Sequence, residues 1–158
     1  MYKILIVCTG NTCRSPMASA IFQDMTNKFG YGDKIGIMSA GASAWTQPAS
    51  KSACIVMEKR GLNLRGHVSK QLTEKQITDA DLILTMTNNH KQAVLALMPA
   101  VSGKVFTLPE FAGETEYSDI NDPFDFGESV YERCAEQIAH LLDKSWGKIL
   151  KLIEGNAK

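Results

Sequence analysis

The stretch that most constrains this chain is an apolar run, Ile4–Val7, leading directly into Cys8-Thr9-Gly10-Asn11-Thr12-Cys13-Arg14-Ser15 and then Pro16. The run has the β-branched residues of a buried strand. Pro16, followed by Met17-Ala18-Ser19-Ala20-Ile21-Phe22, marks a helix with proline in its first turn. The segment Cys8–Ser15 is therefore a loop between a strand's end and a helix's start. The first N–H groups of a helix have no intrahelical partners, and the helix dipole favours negative charge there. A loop so placed curls its N–H groups around an anion. Gly10 and Asn11 tolerate the left-handed backbone that such a curl needs. Arg14 adds a planar fork that grips two phosphate oxygens at once. The same donors favour the thiolate of Cys8, so the anion cradle also activates a nucleophile.

The remaining chain alternates short apolar runs with helical stretches. A first helix runs to about Lys28 and stops at Phe29-Gly30. Ile35–Met38 reads as a strand, and Ser39 to Trp45 as a small-residue loop with one large aromatic. A helix from about Ala49 to Lys59 ends at Arg60-Gly61. Gly66-His67-Val68-Ser69 opens an irregular connection, and Leu72 to Lys75 starts a helix. Asp81–Met86 is a buried strand, Asn88–Leu97 a helix, and Lys104–Leu108 a fourth strand. Pro109–Gly127 is a long acidic loop. Ser129–Lys144 is an amphipathic helix with Val130, Cys134, Ile138, Leu141 and Leu142 on one side. Strands alternating with helices predict an α/β sandwich on a parallel sheet, with ligands bound beyond the carboxyl ends of the strands.

At 158 residues this reads as one domain, 1–158, with a core at about 2–144 and a helical tail at 145–158. Trp146, Ile149, Leu150 and Ile153 recur in that tail at helical spacing. They predict a helix extension packed on the domain, with a partner surface as the alternative. A formal net charge of +0 gives no bulk attraction to nucleic acid or to an acidic membrane. No apolar run is long enough to span a membrane, and Met1–Val7 is too short for a secretory signal. The cysteines are Cys8, Cys13, Cys54 and Cys134. Two of them lie in the anion loop, which points to a reducing, cytoplasmic setting. A reversible Cys8–Cys13 disulfide would silence the nucleophile under oxidation. Cys8 and Cys13 lack zinc-site spacing, so no metal is expected, and Cys54 and Cys134 read as core cysteines.

Transfer of phosphate to a cysteine needs a proton for the leaving group and then a base to activate water; one carboxyl group serves both needs in turn. The acidic loop offers Glu110, Glu114, Glu116, Asp119, Asp122 and Asp125. Asp122 is preferred because Pro123 fixes its backbone and Phe124 can wall a pocket. The Cys8-to-Pro16 motif with a distant Asp122-Pro123-Phe124 resembles the low-molecular-weight protein tyrosine phosphatase family, over about Tyr2 to Leu142. The resemblance implies a four-stranded parallel sheet flanked by helices on both faces, a phosphatase I-like three-layer sandwich. It also implies a cofactor-free and metal-free phosphatase that acts as a monomer on phosphorylated proteins. Cys8 would attack phosphorus, Arg14 would hold the phosphoryl oxygens, and Asp122 would be acid and then base. The phosphate would sit among Thr9, Gly10, Asn11, Thr12, Cys13 and Ser15. Ser15 would donate to the Cys8 thiolate, and Asn11, with Ser39 and His67, would hold the loop's shape.

Within that family one branch acts on phosphoarginine. Thr9, Thr12, Phe124, the segment Met86–Gln92 and Val105–Leu108 resemble that branch. Thr12 stands where tyrosine enzymes usually carry an aliphatic residue, and its hydroxyl suits a polar guanidinium. Trp45 points the other way, since it falls where tyrosine enzymes place an aromatic wall. Phosphoarginine is the favoured substrate and phosphotyrosine the alternative. An arsenate reductase would need relay cysteines better placed than Cys54 and Cys134. A phosphate-binding module without turnover would not need Cys8, Arg14 and Asp122 together.

Overall fold

The structure is a computed structural model that describes residues 1–156; the last two residues of the sequence tail lie outside the described residues. Strands β1 (Tyr2–Cys8), β2 (Ile35–Gly41), β3 (Leu82–Thr85) and β4 (Val105–Thr107) form a parallel sheet in the order β2-β1-β3-β4. The helices are α1 (Arg14–Lys28), α2 (Lys51–Lys59), α3 (Glu74–Asp79), α4 (Asn88–Leu97), α5 (Leu108–Phe111) and α6 (Glu128–Asn156).

Alternation along the central strands separates two cores. Ile4, Ile6, Leu82 and Leu84 face a core shared with Met17 and Phe22 of α1, Val56 and Met57 of α2, and Ile138 and Leu142 of α6. Leu5, Val7, Ile83 and Val105 face a core closed by Ile77 of α3 and Val94 of α4. Helices therefore cover both faces of the sheet, as expected, and β1 and β3 are apolar on both sides because neither side meets water.

Several boundaries differ from the sequence reading. Strand β2 continues through Ser39, Ala40 and Gly41, which pair with Ile6, Val7 and Cys8. These small residues lie beside the start of the anion loop. A β-carbon on Gly41 would stand 2.5 Å from the Thr9 carbonyl oxygen and 3.0 Å from the Asn11 nitrogen. Helix α2 starts at Lys51, not Ala49, because the Ser50 hydroxyl caps it by accepting the Ala53 N–H. Pro99–Lys104 forms a 3₁₀ helix, and Pro109 to Phe111 belong to the short α5, capped by Thr107. The amphipathic helix and tail are one helix, α6. Its Ile149 is fully buried, and Trp146 packs against Phe22, Phe29 and Tyr31 with ring centroids 6.3, 5.1 and 5.5 Å apart. Residues 145–156 thus continue α6, and Trp146 packs on α1.

Candidate active site

Every residue of the Cys8–Ser15 loop sits at the carboxyl end of β1, where α1 begins. Asn11 takes the left-handed conformation, with φ of 57°. Asparagine visits that region more readily than most residues, and here its side chain is fully buried and spent on holding the turn. Its Nδ2 donates to Ser15 Oγ at 2.8 Å and to Ser39 Oγ at 2.9 Å. Its Oδ1 accepts the Lys70 N–H at 3.0 Å. Its backbone carbonyl accepts from His67 Nε2 at 2.7 Å, so that nitrogen carries the proton. Ser39 and His67 thus meet at Asn11 from β2 and from the irregular connection. Among the described residues, the N–H groups of Gly10, Asn11, Thr12 and Cys13 have no protein acceptor.

Cys8 Sγ lies 2.9 Å from Ser15 Oγ. Since Asn11 already donates to that oxygen, the Ser15 proton is free to point at the sulfur, an arrangement that suits a thiolate. Arg14 is buried and its Nη1 donates to the Ile120 carbonyl at 2.8 Å. The Ile120 N–H in turn donates to the Met86 carbonyl at 2.8 Å, so the acidic loop is tied both to the end of β3 and to Arg14. Two residues on, Asp122 Oδ2 lies 3.5 Å from Arg14 Nη2, and its side chain is half exposed. Asp122 Oδ1 accepts the Phe124 N–H at 3.1 Å, a local turn that aims the carboxylate. A cavity of about 200 Å³ is lined by Cys8, Thr9, Gly10, Thr12, Cys13, Arg14, Gln47, Asp122 and Phe124. The arrangement can hold a tetrahedral anion against a sulfur with a carboxyl group opposite.

Trp45 does not line this cavity. The residue is 80% exposed, and its backbone is held by the Ser69 hydroxyl donating to its carbonyl. Gln47 lines the cavity instead; nothing in its local sequence marks it. Asp125 is exposed and, among the described residues, is the other non-glycine residue with positive φ, 68°. Cys13 Sγ lies 3.3 Å from Tyr131 Oη and 3.4 Å from Ser50 Oγ, and all four cysteines are free thiols. Burial and the neighbouring Cys13 push the Tyr131 hydroxyl up to about 12. Burial likewise pushes the Cys134 thiol up to about 12, as befits an inert core cysteine.

A second polar residue at the site was not singled out from the sequence. His90 is 5% exposed, and its Nε2 lies 2.8 Å from Thr9 Oγ1. Burial, and then the Arg14 charge, lower it to about 4, against weaker opposite pulls from Asp119 and Asp122. It sits at the third position of α4, where its ring completes a capping box with Thr87. That spacing, Thr87 to His90, was the only local signal.

Comparison with known proteins agrees with this geometry. The family model for low molecular weight phosphotyrosine protein phosphatase matches residues 3–153. The protein-arginine-phosphatase of Bacillus subtilis is 36% identical over 140 residues, 88% of this chain and 91% of the relative. A probable low molecular weight protein-tyrosine-phosphatase, EpsP of Ralstonia nicotianae, is 38% identical over 141 residues, 89% of this chain and 90% of the relative. A solved YwlE arginine phosphatase mutant with a phosphorylated active-site serine superimposes with a TM-score of 0.87 at 35% identity, covering 94% of this chain and 95% of that one. A Cys-to-Arg loop, a fold that positions it and relatives along nearly the whole length agree: the chain belongs to the low molecular weight phosphotyrosine protein phosphatase family and is a protein phosphatase.

Proposed function

We propose that this enzyme hydrolyses phosphoarginine in proteins through a phosphocysteine intermediate. Cys8 Sγ attacks phosphorus while the loop N–H groups and Arg14 hold the phosphoryl oxygens. The P–N bond breaks as the leaving guanidinium nitrogen takes a proton from Asp122. Asp122, now a carboxylate, removes a proton from water as that water attacks the phosphocysteine, releasing inorganic phosphate and free Cys8. The phosphorylated active-site serine of the related arginine phosphatase supports a covalent route at this position.

The observation that carries the choice of substrate is the cavity wall. Beside Cys8 it presents the Thr12 hydroxyl and the Asp122 carboxylate. Hydroxyl oxygens and a carboxylate are acceptors for guanidinium N–H groups, whereas a phenyl ring gains from apolar walls. Phe124 lines the cavity, and the exposed Trp45 adds no second aromatic wall. Turnover of a phosphoarginine peptide and of the matching phosphotyrosine peptide tests the assignment. The expected result is a clear preference for phosphoarginine, narrowed by Thr12→Ile. A large preference for phosphotyrosine, unchanged by Thr12→Ile, rejects it. Cys8→Ser should abolish turnover while still binding phosphate, because a hydroxyl is far less nucleophilic than a thiolate here.

A further inference from the structure

A line of hydrogen bonds runs from the start of α4 to the cavity through Thr87, His90, Thr9 and Arg14, and its directions follow atom by atom. The Thr87 N–H can only donate, so His90 Nδ1, 3.1 Å away, accepts it and carries no proton. An imidazole with a bare Nδ1 holds its proton on Nε2. That N–H donates to Thr9 Oγ1 at 2.8 Å. Arg14 Nη2 has no lone pair to offer and donates to the same oxygen at 3.3 Å. A hydroxyl has two lone pairs and one proton. Both lone pairs of Thr9 Oγ1 are thus taken by the protein. Its proton has no protein acceptor among the described residues, and Thr9 lines the cavity beside Cys8.

We infer that His90 is a positioning residue: its Nε2–H tautomer holds the Thr9 hydroxyl as a proton donor to a phosphoryl oxygen of the bound substrate. This rests on the reading above that the cavity takes a phosphoryl group at Cys8. A threonine hydroxyl with an empty lone pair can turn its proton away from an incoming anion or share it among acceptors. Here the accepting capacity is filled in advance by two donors that cannot reverse. The proton is therefore aimed before charge develops on the phosphoryl group, and no reorganisation is needed when it does. The Thr87 N–H sets the direction of the whole line, so a helix cap on the far side of His90 orients a donor in the cavity.

The test combines four variants with orthovanadate as the binding probe and p-nitrophenyl phosphate as the kinetic one. Thr9→Val removes the hydroxyl and keeps the shape; Thr9→Ser restores it. His90→Gln keeps an oxygen for the Thr87 N–H and so preserves the cap. The fourth variant combines Thr9→Val with His90→Gln. Thr9→Val is expected to weaken orthovanadate binding and to lower kcat on the order of tenfold, with KM little changed. Thr9→Ser should recover most of both. His90→Gln should cost several-fold alone and nothing further in the Thr9→Val background, which a general loosening of α4 would not produce. Nitrogen NMR of the wild type at neutral pH should find His90 protonated on Nε2 alone. A proton on Nδ1, additive losses in the double variant, unaltered orthovanadate affinity in Thr9→Val, or no orthovanadate binding by the wild type would each overturn the inference. Wild-type binding without any turnover would instead reject the hydrolytic reading and leave the donor role decided by affinity.

Discussion

Asn11 shows how much one side chain carries. It is fully buried in a left-handed conformation and makes four hydrogen bonds to three other segments of the chain. Three of these come from its amide group, and truncation leaves Ser15, Ser39 and the Lys70 N–H short of partners. Asn11→Ala should cost roughly 2–4 kcal/mol in denaturant unfolding and lower kcat/KM by more than its loss of folded protein explains. Asp122 illustrates the opposite case, a half-exposed side chain whose proposed role is chemical and whose packing is slight. Asp122→Asn should slow substrates with poor leaving groups far more than those with good ones, which a plot of rate against leaving-group acidity would reveal. An equal loss across the series would make Asp122 a structural residue. Asn11 and Asp122 were both legible from the sequence, Asn11 through its place inside the loop and Asp122 through Pro123. His90 was not, because a histidine three residues after a threonine looks like an ordinary helix start. Its partner, Thr9, is 81 positions away.

The elements divide between those that build the cavity and those that keep them in register. Strand β2 does both, since its last residues pair with the end of β1 and Gly41 leaves room for the backbone of the anion loop. Helix α6 acts from a distance. Its Trp146 seals a cluster with Phe22, Phe29 and Tyr31 near the far end of α1. Along α1, Phe22 stands about 12 Å from Arg14 and the helix end at Lys28 about 20 Å at a helical rise. Trp146→Ala should therefore lower stability by about 2–4 kcal/mol in denaturant unfolding, while kcat/KM per folded molecule stays at the wild-type value. Both the periodicity of α6 and an extension beyond Lys144 were readable. At the junction the Ser145 hydroxyl donates back to the Leu141 carbonyl at 2.7 Å and the helix runs on.

For the molecule as a whole, His90 links the site to stability. Its native value of about 4 lies below the ordinary 6.5. Between these values the unfolded chain binds a proton that the native chain does not, so stability is complete above about pH 6.5 and declines as pH falls toward about 4. After allowance for solvent screening the contribution is on the order of 1–2 kcal/mol. Urea unfolding at about pH 7.5 and about pH 5 should show this loss in the wild type and a smaller one in His90→Gln. Arg14 lowers the histidine while Asp119 and Asp122 raise it, so an Asp122→Asn background should deepen the loss slightly.

The sequence by itself determined the alternating architecture and the Cys8–Ser15 loop between β1 and α1, because these depend on neighbours within one strand, one turn and one helix. Apolar runs and a Cys-to-Arg spacing are local and survive without knowledge of the fold. Only the folded chain determined which distant groups complete the site: His90 against Thr9, Lys70 against Asn11, the Ile120 carbonyl against Arg14. It also turned Trp45 outward and brought Gln47 to the cavity. These contacts span tens of residues and are set by how the strand ends lie beside one another, a property of sheet order and register that no single segment contains.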